Sequence, residues 1–173
     1  MKVSREQIAE NRRRILEAAG RLFRARGFAA VTVAEVMREA GLTHDGFYGH
    51  FRSKGGLIAA TLAALVVAPE PVVLSDDAAG YLGPVHRDNP AGGCPVAALV
   101  SETIRQPLEA RAAMTEGLHR QIARLCNGAG TADSEAARQA AIGSWAAMVG
   151  AMIPVRMSDD PALSDDVLAQ TRA

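Results

Sequence analysis

Helix-start and helix-stop residues constrain the fold of this chain more than any other sequence feature. Ser4 and Thr32 each stand three residues before Gln or Glu, the spacing of a capping box, and apolar residues then recur at intervals of three and four. Gly27 and Gly41 follow these two stretches, where a left-handed glycine commonly ends a helix. No segment shows the sustained alternation of apolar and polar residues that predicts a strand. The sequence therefore predicts an all-α protein.

The same signals divide the remaining sequence into further helices. Thr43 caps a very short helix that ends near His50, and Ser53 opens a longer one. From Pro69 the sequence is rich in Pro and Gly, so we expect the Ser53 helix to end early and a long connection to follow, with at most one short helix near residues 75–82. Pro154 is expected to kink or stop its helix. The later helices are predicted at 95–104, from Pro107 to about 126, from Asp133 or Ser134 to about 155, and from Ser164 onwards.

The distribution of charge divides the chain in two. Residues 1–56 carry eleven Lys and Arg against six Asp and Glu, a net charge of +5, whereas residues 57–173 carry eight against thirteen, a net charge of −5. The basic part predicts an anionic partner such as a nucleic acid. A hydrophobic content of 49% excludes a disordered chain. Because we find neither an apolar run of about 20 residues nor an apolar N-terminal segment, we expect a cytoplasmic protein without a membrane span.

Residues 32–51 have the spacing of a helix-turn-helix, in which Gly41-Leu42-Thr43 joins two short helices. Gly41 supplies the left-handed turn residue, and Leu42 can fill the core between the helices. Phe47 and Phe51 are four residues apart and can anchor one face of the second helix. The residues left facing outward are Thr43, His44, Asp45, Gly46 and Tyr48. This pattern predicts a DNA-binding unit.

The segment from Thr32 to Ile58, TVAEVMREAGLTHDGFYGHFRSKGGLI, strongly resembles the DNA-binding signature of the TetR family of bacterial repressors. A second segment, YLGPVHRDNPAGGCPVAALVSE from Tyr81 to Glu102, resembles the opening of the ligand domain in one TetR subgroup. The resemblance implies an all-α homodimer. It places a three-helix helix-turn-helix DNA-binding domain at 1–56 and an effector-binding and dimerisation domain at 57–173.

The resemblance also implies a repressor that binds a palindromic operator and is released when a small-molecule effector moves the fourth helix. Tyr48 and His50 match family positions that contact phosphates, and Lys54 begins the next helix, where its charge favours a phosphate. The alternatives are a half-buried Tyr48, a His50 that only caps its helix, and a solvated Lys54. The residues assigned to DNA are Thr32, Thr43, His44, Asp45, Tyr48, His50 and Lys54.

The basic part of the chain contains an acidic residue at position 45 and a run of three arginines at positions 12–14. Asp45 departs from the family, which usually has glycine or a small neutral residue there, and its carboxylate must either accept from cytosine N4 or pair with an arginine. Arg12, Arg13 and Arg14 are consecutive, so on a helix they point in three directions, and we expect at least two of them to be solvated.

The helix predicted from Asp133 or Ser134 carries two apolar stripes. One stripe is small: Ala136, Ala140, Gly143, Ala147 and Gly150. The other is bulky: Ile142, Trp145, Val149 and Met152. A helix that is apolar on two faces is buried on two sides, so one side can pack in its own lobe and the other against a symmetry mate. The residues assigned to the dimer interface are Trp145, Val149, Met152, Val167 and Leu168. Those assigned to the effector pocket are Leu62, Leu99, Leu118, His119, Ile122 and Trp145.

Cys94 precedes Pro95 at a predicted helix N-cap, a location that lowers a thiol pKa. A redox- or electrophile-sensing regulator is therefore an alternative function, and a Cys-dependent enzyme is a weaker one. A small buried residue in a tight turn is the plainer interpretation of Cys94. His119 and Cys126 share a helix face at two-turn spacing, which does not make a metal site. We expect a regulator that is no enzyme, with no metal and no cofactor.

Overall fold

The computed structural model describes residues 4–66, 74–128 and 134–172, and no strand occurs among them. This confirms the prediction of an all-α fold. The α-helices are α1 (Arg5–Ala30), α2 (Val33–Glu39), α3 (Lys54–Leu65), α4 (Leu74–Tyr81), α5 (Pro84–Asp88), α6 (Pro95–Thr103), α7 (Leu108–Gly128), α8 (Glu135–Met157) and α9 (Pro161–Arg172), with 3₁₀ helices at His44–Gly49 and Pro90–Gly92.

Helix α1 begins where the sequence predicts but is interrupted, not ended, at Gly27. Ser4 Oγ accepts from Gln7 N at 3.1 Å, whereas the Gln7 side chain donates to Asn11 at 2.9 Å, so only half of the predicted capping box forms. Gly27 has φ +79°, which breaks the helix, and a last turn from Phe28 to Ala30 follows.

Helix α2 and its turn follow the local sequence signals closely. Thr32 Oγ1 accepts from Glu35 N at 3.2 Å, and Glu35 Oε2 accepts from Thr32 N at 2.8 Å, which completes the predicted capping box. Gly41 has φ +66°, and Leu42 N donates to Met37 O at 2.9 Å, which closes the helix end. The chain then enters the His44–Gly49 helix with Thr43 at its N-cap.

One hydrophobic core runs through residues on both sides of position 56. It contains Ile15, Phe23 and Phe47 from the first part of the chain and Leu62 and Leu99 from the second, each at most 1% exposed. Helix α3 belongs to both parts because its first turn follows the helix-turn-helix while its later residues pack on α7. The division into domains at 1–56 and 57–173 therefore remains a prediction about sequence organisation, since packing continues across it.

Helices α3 and α7 approach each other closely at Gly117. A Cβ atom built on Gly117 would lie 2.3 Å from Val66 Cβ, so only glycine permits this separation. Helix α3 ends at Leu65, which confirms a short helix. Pro69 and Pro71, which the sequence analysis holds responsible, lie outside the described residues.

Helix α8 ends at Met157, close to the predicted end near residue 155. Pro154 does not stop it, because Pro154 lies in the last turn and the carbonyl it leaves unpaired belongs to exposed Gly150. The predicted start of the last helix is wrong. Helix α9 begins at Pro161 instead of Ser164, since the Asp160 carboxylate caps it by accepting from Ala162 N at 2.9 Å. Ser164 is buried inside the helix, and its hydroxyl donates to Val155 O at 3.1 Å.

Helix α8 is long and apolar enough, by length and composition, to cross a membrane. No uninterrupted apolar run in the sequence reveals this property. In the fold, one side of α8 packs on α6, α7 and α9 through residues that include Met148, Met152 and Val155. A core helix of this kind passes the same compositional test.

The capping box makes a testable prediction about acid stability. The Thr32 backbone N–H, the Thr32 hydroxyl and the Arg26 guanidinium all bond to Glu35, and together they lower the pKa of its carboxyl from 4.5 to about 2. Because the folded value is below the unfolded one, this stabilisation is complete above about pH 4.5 and is lost as the pH falls through about 2. Glu35→Gln should therefore lower the free energy of unfolding at pH 7 and flatten its fall between pH 5 and pH 2.

Urea denaturation across that pH range measures both effects. Thr32→Ala is the paired variant, because it removes the hydroxyl half of the cap while leaving the carboxylate and its backbone N–H donor in place. Acid denaturation curves that are identical for wild type and Glu35→Gln would contradict the assignment.

Candidate nucleic-acid interface

The His44–Gly49 helix presents one polar face to solvent and buries the other. Phe47 and Phe51 are 1% and 6% exposed, and their rings stack at 5.7 Å. Tyr48 is 71% exposed and rests edge-on against Phe47 at 5.3 Å. Tyr48 is therefore a surface residue on an anchored helix, not half-buried core. Thr43, His44 and Asp45 are exposed as well.

His50 and Lys54 lie at the two ends of the turn that leads into α3, and both are half-buried. His50 closes the His44–Gly49 helix, with its N–H donating to Phe47 O at 2.9 Å. Ser53 caps α3 by accepting from Gly56 N at 3.1 Å, and the first turn of α3 contains no acidic residue. No residue of the first turn itself therefore offsets the positive end of the α3 dipole, and Lys54 adds its charge there.

Thr32 is occupied by its cap. Its hydroxyl donates to Glu35 Oε2 at 2.8 Å while accepting from Glu35 N. The hydroxyl proton is therefore not free for a phosphate as long as the capping box holds.

Asp45 is fully exposed, and its only ion pair in the described part of the chain is with His44, at 3.8 Å. No arginine among the described residues pairs with it.

Arg12 is a residue that the sequence analysis failed to single out. Its guanidinium lies 4.4 Å from the centre of the Phe51 ring and donates to His50 O at 3.0 Å, which ties α1 to the end of the His44–Gly49 helix. Arg13 instead pairs with Glu10 and Glu17 on the surface. Arg14 covers Gly41, where a Cβ would lie 2.6 Å from its Nη2 atom. The three arginines do point in different directions, but nothing in the sequence marks Arg12 out from its neighbours.

The predicted pocket residues do not form a single group. Leu62 and Leu99 are fully buried in the main core, with Leu118 at its edge. Ile122 packs instead on a small cluster of Leu125, Cys126 and Ala141, and Trp145 borders both clusters. His119 is exposed.

The predicted dimer residues face mainly into the protomer. Met152, Leu168 and Val149 are 0%, 1% and 8% exposed, while Val167 and Trp145 are half-buried. The small-residue stripe is the exposed face of α8: Ala136, Ala140, Gly143, Ala147 and Gly150 all lie open. Ile142, Ile153 and, on α9, Leu163 are exposed apolar residues as well. Three members of the bulky stripe, Trp145, Val149 and Met152, therefore pack into the protomer while the fourth, Ile142, is exposed, and the small stripe is available to a partner.

Cys94 is half-buried at the N-cap of α6, between two arginines. Arg24 donates to Gly93 O at 3.2 Å, and Arg156 Nη2 donates to His86 O at 2.7 Å. Burial lowers the pKa of both guanidiniums, and the neighbouring Cys94 opposes that effect. Arg24 Nε and Arg156 Nη1 are buried without a hydrogen-bond partner among the described residues.

His86 is held in one tautomer beside Cys94. Its Nε2 accepts from Cys94 N at 2.9 Å, so its Nδ1, 2.7 Å from Tyr81 O, carries the proton and donates. Burial is the main cause that lowers the pKa of His86. The imidazole is neutral with both nitrogens engaged, and it therefore cannot serve the Cys94 thiol as a base in this arrangement.

The match to a known protein family lies in the first part of the chain. A family model described as bacterial regulatory proteins, tetR family, matches residues 15–61. The chain is 33% identical over 82 residues to ArpR, a probable HTH-type transcriptional regulator of Pseudomonas putida, and 40% identical over 62 residues to TtgR, an HTH-type transcriptional regulator of the same species. These matches cover 47% and 36% of this chain but only 39% and 30% of the two relatives.

Solved structures extend the likeness to the whole fold. The reduced form of Escherichia coli NemR superposes with a TM-score of 0.71 at 22% identity, over 93% of this chain and 94% of that one. A TetR-family regulator of Agrobacterium tumefaciens gives 0.69 at 18% identity, over 95% and 97%. The fold is therefore shared with TetR-family regulators, and residues 15–61 match bacterial regulatory proteins of the tetR family.

Proposed function

We propose that this protein is a cytoplasmic repressor that binds a palindromic operator as a homodimer and dissociates when a small-molecule effector binds. The observation that carries the proposal is the His44–Gly49 helix, whose polar face is exposed while Phe47 and Phe51 anchor it in the core. A rigidly held polar helix on a basic surface has the form needed to enter a major groove.

Each exposed residue has a role in this proposal. Thr43, His44 and Asp45 face the base edges, and Asp45 accepts from cytosine N4. Tyr48, His50 and Lys54 donate to phosphates. Thr32 acts indirectly, because its hydroxyl maintains the α2 cap and so positions the helix-turn-helix.

Selection of bound duplexes from a random pool tests the proposal. Enrichment of a twofold-symmetric site, with affinity that falls steeply as salt rises, is the expected result. Lys54→Ala should weaken binding to all sequences about equally and lower the salt dependence by about one phosphate contact. Arg13→Ala is the matched control, since Glu10 and Glu17 already neutralise that charge.

Asp45→Ala should change the choice of base instead of the overall affinity. Loss of a direct base contact relaxes discrimination by about 1–3 kcal/mol at one position. A selection that enriches no sequence, or an affinity that is independent of salt, would contradict the proposed function.

The homodimer is proposed to form through the small-residue face of α8 and the exposed side of α9. A twofold axis places the same face of both protomers together, and small side chains let two helices approach closely. Ile142, Ile153 and Leu163 supply apolar area around the stripe. This surface replaces the bulky stripe as the proposed dimer interface.

Ala147→Glu tests this interface by placing a charge in the middle of the exposed stripe. The variant should keep its helical content, elute as a monomer in sedimentation or light-scattering experiments, and lose operator binding. Ala112→Glu, an equally exposed alanine on α7, is the control and should remain dimeric. Trp145→Glu is a poorer test, because Trp145 packs on two core clusters. An Ala147→Glu protein that stays dimeric would contradict the interface.

A small-molecule effector is proposed to occupy the body near Leu118, Ile122 and Trp145, the half-buried members of the predicted pocket. Apolar walls of this kind favour an apolar ligand. Leu62 and Leu99 would then form the inner wall from the core, and exposed His119 would lie outside it.

Sensing through Cys94 is the second candidate function, and the partial exposure of its side chain at the start of α6 favours it. The Cys94 sulfur would add to an electron-poor carbon–carbon double bond. A carbon–sulfur bond forms as the π bond breaks, and the neighbouring carbon takes up the thiol proton. The engaged imidazole of His86 argues against an enzyme at this position.

Alkylation by iodoacetamide measures the reactivity of Cys94. We expect partly exposed Cys94 to react at least tenfold faster than buried Cys126. Mass spectrometry of the modified peptides gives both rates. Equal reactivity of the two cysteines in the folded protein would contradict a sensing role.

A further inference from the structure

The interruption of α1 at Gly27 disturbs the regular helical hydrogen bonds. Two backbone N–H groups that follow the break therefore need an acceptor from elsewhere. Phe28 N and Ala29 N begin a new turn after the break. Glu102, near the end of α6, supplies the acceptor. Its Oε2 accepts from Phe28 N at 2.8 Å and, more weakly, from Ala29 N at 3.4 Å. A residue of α6 thus caps the last turn of α1.

This contact requires both Gly27 and Glu102. A Cβ atom built on Gly27 would lie 2.1 Å from Glu102 Oε1, so any other residue would displace the carboxylate. The φ of +79° favours glycine at the same position. Glycine at position 27 therefore both adopts the left-handed backbone conformation and leaves room for the Glu102 carboxylate.

The capped turn sets the direction in which α2 leaves α1. Phe28 is 2% exposed and packs edge-to-face on Phe23 at 5.2 Å. Only Val31, which is fully buried, and Thr32, the α2 N-cap, separate this turn from the helix-turn-helix. Arg26 and Glu35 bridge the two helices at 2.9 Å. A change in the turn would therefore reorient α2 and, with it, the His44–Gly49 helix.

Glu102 also borders the start of α3. Phe28, Ala29, Lys54, Glu102 and Arg105 are among the residues that line a cleft of about 600 Å³ at this junction. The carboxylate therefore lies at the same junction as Lys54, the proposed phosphate contact. On charge alone, removal of Glu102 should strengthen binding to DNA.

We propose that Glu102 is a positioning residue for DNA binding, through which α6 holds the helix-turn-helix in the orientation that fits the operator. This inference rests on the proposed function. Helix α6 packs on α1, α7 and α8, so movement of the body displaces Glu102 relative to Phe28. A displacement of about 1 Å takes the 2.8 Å bond beyond hydrogen-bonding distance.

The test compares Glu102→Ala, Glu102→Gln and Glu109→Ala with wild type, using the duplex that wild type selects and an unrelated duplex at low salt. Glu109 is an exposed carboxylate in the first turn of α7 and controls for loss of charge alone. Glu102→Ala should weaken operator binding about tenfold while leaving binding to the unrelated duplex undiminished. Glu102→Gln keeps an acceptor oxygen, so its operator affinity should lie between those of wild type and Glu102→Ala. Glu109→Ala should bind no more weakly than wild type.

Hydrogen exchange gives a readout that does not depend on DNA. The amides of Phe28 and Ala29 should exchange at least tenfold faster in Glu102→Ala. The inference is overturned if the two amides exchange at the wild-type rate in Glu102→Ala. It is also overturned if they exchange faster while operator binding stays the same or becomes tighter. If wild type selects no duplex, the proposed function fails, and with it any positioning role. If Glu102→Ala does not fold, Glu102→Gln decides: weaker operator binding supports the inference, and binding as tight as that of Glu109→Ala overturns it.

Discussion

One hydrophobic core supports both the helix-turn-helix and the body of this protein. Ile15 and Phe23 on α1, Phe47 beside the polar helix face, and Leu99 on α6 all belong to it. The exposed residues Thr43 to Tyr48 are held in place because Phe47 and Phe51 are buried in that core. No separate packing unit isolates the helix-turn-helix, so its orientation depends on the helices behind it. Close approach at Gly117 and the polar contact at Gly27 fix two of those helices against α3 and α1.

Helix α6 connects the sites that take part in the proposed regulation. It begins beside Cys94, where Arg24 and Arg156 converge, and carries Glu102 near its other end. From Cys94 to Glu102 is about 12 Å along a helix. Arg24 of α1 donates to Gly93 O just before α6, and Arg156 of α8 donates to His86 O, while the His86 ring accepts from Cys94 N. The start of α6 is thus bonded to the first helix and is linked through His86 to the proposed dimer helix. A chemical change at Cys94 and an effector in the body would both act on the same rigid element.

The sequence predicts those parts of the structure that depend on neighbouring residues. The Thr32–Glu35 capping box, the left-handed Gly41 and the buried pair Phe47 and Phe51 follow from spacing alone, because each interaction spans a turn or less. The family resemblance adds the exposed polar residues of the His44–Gly49 helix. The role of Asp45 does not follow from spacing, because it depends on a distant arginine or on DNA, and no described arginine pairs with it.

Features that depend on distant residues could not be predicted in this way. Both stripes of α8 are apolar, and only the packing of α9 and α6 decides that Val149 and Met152 face inward. Arg12 is distinguished from Arg13 and Arg14 by its contacts with the ring of Phe51 and the carbonyl of His50, 39 and 38 positions away in the sequence. Glu102 caps an amide 74 residues away, and no local signal marks a glutamate near the end of an amphipathic helix for that task. Whether Pro154 stops its helix cannot be predicted from the sequence, because the effect depends on whether water reaches the carbonyl of Gly150.

The central claim is that two copies of the exposed helix face read a twofold-symmetric site together. Native mass spectrometry of the protein with a selected full-site duplex and with a duplex carrying one half-site tests it directly. We expect two protomers on the full site, and binding to the half-site that is weaker by at least a hundredfold. A single protomer bound to the full site, with the same affinity for the half-site, would contradict the claim.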